Sequence, residues 1–121
     1  MTLQIAVEER NGVRIVRVKE AKLTYPILGP FFAEVRRLVQ EGADRVLLDL
    51  RAVSYMDSAS IGCLMDIHRL LQERKGIVKL FGLQPRVETM ISMTGVLKIV
   101  EAFPDEAEAL RAFGPQRRQG G

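Results

Sequence analysis

Apolar positions at the start of the chain alternate: Leu3, Ile5 and Val7 are spaced two apart, and the run Val13 to Val18 that follows Asn11-Gly12 is again β-branched. That pattern predicts two strands joined by a tight turn, an antiparallel hairpin. Residues Lys22 to Gly29 include Thr24, Tyr25 and Pro26 and read as a turn-rich connection, after which Pro30 suits the first turn of a helix. Phe31, Phe32, Val35, Leu38 and Val39 then share one helical face, and Gly42 supplies the stop.

Arg45 to Leu50 is short, nearly continuous in apolar residues and bounded by breakers, the pattern of a strand covered on both faces. Ile61, Leu64, Met65, His68 and Leu71 recur at helical spacing, which predicts a helix from about Ser58 to Lys75. Ile77 to Phe81 reads as the next strand, Pro85 to about Met93 as a helix, Leu97 to Phe103 as a last strand and Asp105 to Phe113 as a last helix. After the hairpin, strand and helix take turns. The order predicts an α/β fold: one domain over residues 1–115, a mixed sheet with parallel crossovers and about four helices packed on it. Residues 116–121 have little to bury and are expected to form a disordered tail.

An apolar fraction of 47% in 121 residues is enough for one core. No apolar run reaches the roughly 18 to 20 residues of a membrane-spanning helix, and the N-terminus lacks a signal-peptide pattern, so a cytoplasmic location and no membrane partner are expected. A single cysteine, Cys63, excludes an internal disulfide. The net charge of +3 falls to +1 without Arg117 and Arg118, and Arg14, Arg17, Lys19 and Lys22 read as solvated charges on and after a strand. No direct nucleic-acid contact is expected.

The informative stretch is Val53 to Gly62, VSYMDSASIG, which places Asp57, Ser58 and Ser60 where a loop leaving a buried strand becomes a helix. The first N–H groups of a helix lack intrahelical acceptors, so an oxygen of Asp57 or Ser58 can cap them. A phosphate on Ser58 would find the same donors and would add about 1.5 to 2 negative charges.

Asp57-Ser58-Ala59-Ser60-Ile61-Gly62 resembles the signature of the STAS family, specifically its bacterial anti-sigma factor antagonists, which carry a D-S-S/A-G-L-G-like motif between the third strand and the second helix. The resemblance runs from Leu3 to Phe113, because the hairpin, RVLLDL, the following helix, IVKLFGL and the last helix come in family order. It implies a non-enzymatic protein-binding switch. Ser58 would be the phosphoacceptor of an anti-sigma factor serine kinase, a serine phosphatase would restore it, and the unphosphorylated protein would sequester the kinase. Asp57 would fix the helix start, with Thr24, Tyr25, Met56 and Ser60 bordering the partner surface. Two positions depart from the pattern: Thr24 stands where an acidic residue is common, and Ser60 replaces a glycine. They motivate an alternative, a STAS scaffold or accessory subunit of a larger signalling or transport complex that is not phosphorylated. A homodimer is left open.

Other chemistry finds little support. Asp49 ends a central strand as in a receiver domain, but the hairpin start and Phe103-Pro104 do not fit an all-parallel receiver sheet. Phosphate-binding glycine loops and metal-ligand spacings are absent, so no cofactor or metal is expected. His68 reads as a partly buried helix residue and Cys63 as a small buried hydrophobe. Met65, Met90 and Met93 read as core filling, whereas Met56, beside the motif, reads as a contact.

Overall fold

The computed structural model describes residues 2–115; the tail expected at 116–121 lies outside them. Strands β1 (Ile5–Arg10) and β2 (Val13–Val18) form the hairpin, paired antiparallel from Ile5 opposite Val18 to Arg10 opposite Val13. Asn11 and Gly12 hold φ of 53° and 80°, the left-handed conformation that a two-residue hairpin turn requires. A two-residue strand β3 (Lys22–Leu23) leads into helix α1 (Tyr25–Gln40), followed by β4 (Arg45–Asp49), β5 (Tyr55–Met56) and α2 (Ser58–Gln72). Strand β6 (Ile77–Phe81), α3 (Pro85–Ser92), a 3-10 turn at Val96–Lys98, β7 (Ala102–Phe103) and α4 (Glu106–Phe113) complete the chain.

The main sheet has the order β1-β2-β4-β6-β7, antiparallel only at the hairpin, and β3 and β5 make a separate parallel pair. Alternation along the strands sends Val16, Val18, Val46, Leu48, Val78 and Leu80 to one face, where they pack with Phe31 and Val35 of α1, Leu64 and Ile67 of α2, and Val87 and Ile91 of α3. Val13, Ile15, Leu47 and Phe81 point the other way and are covered by Ala109 and Phe113 of α4. Both faces of the central strand are therefore buried, which is why RVLLD is almost unbroken in apolar residues.

Three boundaries differ from the sequence reading. Helix α1 starts at Tyr25, with Pro26 in its first turn and Pro30 inside it. Pro30 removes one N–H and leaves the Pro26 carbonyl without its helical donor; both residues are exposed, so water can serve that carbonyl. Helix α2 ends at Gln72 rather than Lys75, because Lys75 takes φ 59° to turn the chain. The expected strand Leu97 to Phe103 shrinks to Ala102–Phe103, since Val96–Lys98 winds into a 3-10 turn.

Candidate functional site

Asp57 has extended backbone angles, φ −106° and ψ 177°, and stands just before α2 as its N-cap. One of its carboxylate oxygens accepts the Ser60 backbone N–H at 2.9 Å. Ser60 answers with its hydroxyl, which accepts the Asp57 N–H at 2.9 Å and donates to the Asp57 carbonyl at 2.7 Å. This is a reciprocal capping box with serine in the third helical position. The Ser60 side chain is 0% exposed and its hydroxyl is fully engaged. Its assignment to the partner surface is corrected: the third position of a helix points back at its own cap, so Ser60 builds the helix start rather than facing outward.

The second oxygen of Asp57 accepts the Tyr25 backbone N–H at 2.9 Å. Tyr25 is the first residue of α1, and its N-cap, Thr24, makes no side-chain cap of its own. One carboxylate thus closes the start of two helices. The pair β3–β5 makes this reach: Lys22 and Leu23 lie in register with Tyr55 and Met56, and Ser54 donates through both its N–H (2.8 Å) and its hydroxyl (3.1 Å) to the Ala21 carbonyl. Partial burial would raise the Asp57 carboxyl, but the N–H groups of Tyr25 and Ser60 and the Ser60 hydroxyl outweigh it and hold the group below the usual carboxylate range.

Ser58, the first residue of α2, is exposed, as is Ala59 beside it. Tyr25 is 75% exposed and Thr24 is half-buried. Met56 is 0% exposed. As a contact residue it is corrected: successive residues of β5 point to opposite sides, so Tyr55 faces out and Met56 enters the core beside Leu23. Among the described residues the exposed methionine is Met93, just past the end of α3 and 82% exposed, which corrects its reading as core filling. Thr24, Tyr25, Asp57 and Ser58 are brought together at the two helix starts.

Cys63, one turn into α2, is buried, and burial first, with Asp66 adding, pushes its thiol up to about 11. It is a packing residue. Asp49 is buried at the end of β4, where Arg51 grips it with its Nε at 3.0 Å, its Nη2 at 2.8 Å and its backbone N–H at 3.1 Å. Arg17 reaches the same carboxylate at 2.9 Å and Glu106 of α4 at 2.8 Å, and also pairs with Glu8. Burial would raise the Asp49 carboxyl, but the bonds from Arg51 and Arg17 outweigh it and lower it. This network, whose chemistry the sequence did not reveal, ties the hairpin, β4 and α4 together; its charges are all answered. No group of three His, Cys, Asp or Glu able to hold a metal occurs among the described residues.

The fold and site together define a small α/β domain with a mixed sheet and an exposed serine at the start of its second helix. The chain belongs to the STAS domain family, whose model matches residues 4–109. The anti-sigma F factor antagonist of Paenibacillus polymyxa is 26% identical over 111 residues, 91% of this chain and 94% of that one. The crystal structure of an anti-sigma factor antagonist from Mycobacterium paratuberculosis superimposes with a TM-score of 0.82 at 22% identity, over 92% of this chain and 93% of that one. The Bacillus cell fate determinant SpoIIAA in its phosphorylated form gives 0.69 at 18% identity, over 91% and 99%. At these identities the two structures speak for the fold alone.

Proposed function

We propose that this protein is an anti-sigma factor antagonist and a binding switch without catalytic activity of its own. Unphosphorylated, it sequesters an anti-sigma factor that is also a serine kinase; phosphorylation of Ser58 ends the sequestration, and a serine phosphatase renews it. The observation that carries this reading is the placement of Ser58, exposed at the first position of a doubly braced helix start, in a chain that aligns almost end to end with a named antagonist. A hydroxyl there is accessible to a kinase, and the helix behind it is held by Asp57 and Ser60. A dianion at the centre of a surface already matched to a partner would be desolvated without compensation, which weakens binding with little need for a change of fold. No helix among the described residues is long and apolar enough to cross a membrane.

The direct test incubates the protein with an anti-sigma factor kinase of the same organism and ATP, followed by mass spectrometry. One phosphate on the peptide containing Ser58, absent in Ser58→Ala, is expected. No phosphate with any such kinase would overturn the switch.

A further inference from the structure

We infer that the free edge of β1 pairs antiparallel with β1 of a second copy of this chain, joining the two sheets about a two-fold axis at Val7. Strand β1 ends the main sheet and pairs only with β2. The Lys19 N–H donates to the Gln4 carbonyl at 2.8 Å, and this fixes the phase of the ladder: Gln4, Ala6, Glu8 and Arg10 turn their backbone groups to β2. The N–H and carbonyl groups of Ile5, Val7 and Glu9 therefore point outward. No other backbone group answers them among the described residues.

Nothing on the strand guards this edge. Sheet edges are ordinarily protected by a lysine, a proline, a bulge or a very short strand. The segment IAVEER holds neither lysine nor proline, and its residues match β2 one for one without a bulge. Its charges are turned onto its own sheet: Glu8 pairs with Arg17, Glu9 with Arg14 at 3.1 Å and Arg10 with Glu106 at 2.8 Å. Val7 adds an apolar side chain, 37% exposed, beside the open backbone groups. The opposite edge of the sheet is protected by contrast, because β7 is only Ala102–Phe103 and Pro104 follows it.

Charge and phase select a second copy, and one register of it. Outward groups must meet outward groups, which puts the two-fold axis at a residue rather than between two. An axis at Glu8 or at Glu9 sets that carboxylate against its own copy, which is unfavourable. An axis at Val7 sets Val7 on Val7, Ala6 opposite Glu8, Ile5 opposite Glu9 and Gln4 opposite Arg10, so that no like charges face each other. Moving the axis back to Ala6 leaves only Ile5 to Val7 of the strand in register. The strand is thus complementary to itself over Ile5 to Glu9. A contact of this size buries less than a permanent dimer does, so association is weak and rises with concentration. The added strands lie beyond β1, at the other side of the sheet from β6, on which α2 packs, so the contact and α2 use different parts of the sheet.

Sedimentation equilibrium of the full chain, from about 10 μM to about 1 mM, reads the association directly. The wild type is expected to pass from monomer to dimer within that range. Val7→Lys, which sets two ammonium groups together at the axis, is expected to self-associate at least about tenfold more weakly with unchanged circular dichroism. A wild type that stays monomeric to about 1 mM would overturn the pairing, as would a dimer that folded Val7→Lys leaves intact. Should Val7→Lys fail to fold, cross-linking decides. Two copies of Val7→Cys meet at the axis with Cα atoms about 5.5 Å apart, within disulfide reach, whereas Glu9→Cys on the same edge meets Ile5 instead. Mild oxidation is expected to give a covalent dimer with Val7→Cys and not with Glu9→Cys, and the native Cys63, being buried, takes no part. Equal cross-linking of the two variants, or none with Val7→Cys, would overturn the pairing.

Discussion

The backbone N–H of Tyr25 and the carboxylate of Asp57 are joined by a 2.9 Å hydrogen bond across 32 residues of sequence, and the other oxygen of the same carboxylate caps α2 through Ser60. The starts of α1 and α2 are one structural unit. An exposed tyrosine and an exposed serine are consequently held in fixed relation by a group that belongs to neither.

Asp57→Ala removes both bonds. Loss of one helix cap costs about 1 kcal/mol, and here a second donor is orphaned as well, so a loss of about 1 to 2 kcal/mol is expected in urea denaturation. Asp57→Asn keeps an acceptor oxygen and should recover part of it. An alanine variant as stable as the wild type would show that water replaces both bonds at no cost.

Acid should weaken the fold in a definite window. Asp49 and Asp57 are both held below the ordinary aspartate value of 3.8, so each contributes stability that is fully present above that value and disappears as pH falls through the lower folded value. Stability measured by denaturant titration is expected to be level near neutrality and to fall below about pH 4 to 5. Asp49→Asn, less stable at pH 7 because Arg51 loses its counter-charge and Arg17 one of its three acidic partners, should show a flatter acid limb. An unchanged limb would mean that Asp49 titrates no differently when folded.

Gly29→Ala is expected to stabilise. The added methyl meets nothing within 4 Å and the position lies in a helix, so a gain of about 0.5 to 1 kcal/mol is expected as a rise in the thermal midpoint. A fall would reveal a packing role that the space around Gly29 does not show.

Cys63 should resist labelling. Its thiol is buried and pushed up to about 11, so at pH 8 very little thiolate is present and what exists is shielded. Reaction with an aromatic disulfide reagent is expected to be slow in the native protein and fast in denaturant. Immediate native labelling would show that the groove between α1 and α2 opens readily.

Much of the fold was legible because it is written in long periodic segments. The Asn11-Gly12 turn, the apolar run at Val46 to Leu48 and the helical spacing from Ile61 to Leu71 each carry a local signal strong enough to survive packing. The pair β3–β5 carried none, since two-residue strands have no period, and its partners Leu23 and Met56 are recognisable only by being buried together. The start of α1 was read at Pro30, one turn too late, because Pro26 suits a first turn equally well and the bond that anchors Tyr25 comes from Asp57, far away in sequence. At the site, the capping role of Asp57 followed from residue type and position. The inward placement of Ser60 could have been read from the capping-box spacing Asp57-x-x-Ser60, but Met56 and Met93 exchanged places for tertiary reasons that no local pattern carries.

Control of partner binding by a phosphate on Ser58 is measured by titrating the anti-sigma factor kinase with unphosphorylated and stoichiometrically Ser58-phosphorylated protein under identical salt. Affinity is expected to be lower by about a hundredfold or more in the phosphorylated form, equivalent to about 3 kcal/mol. Equal dissociation constants for the two forms would contradict it.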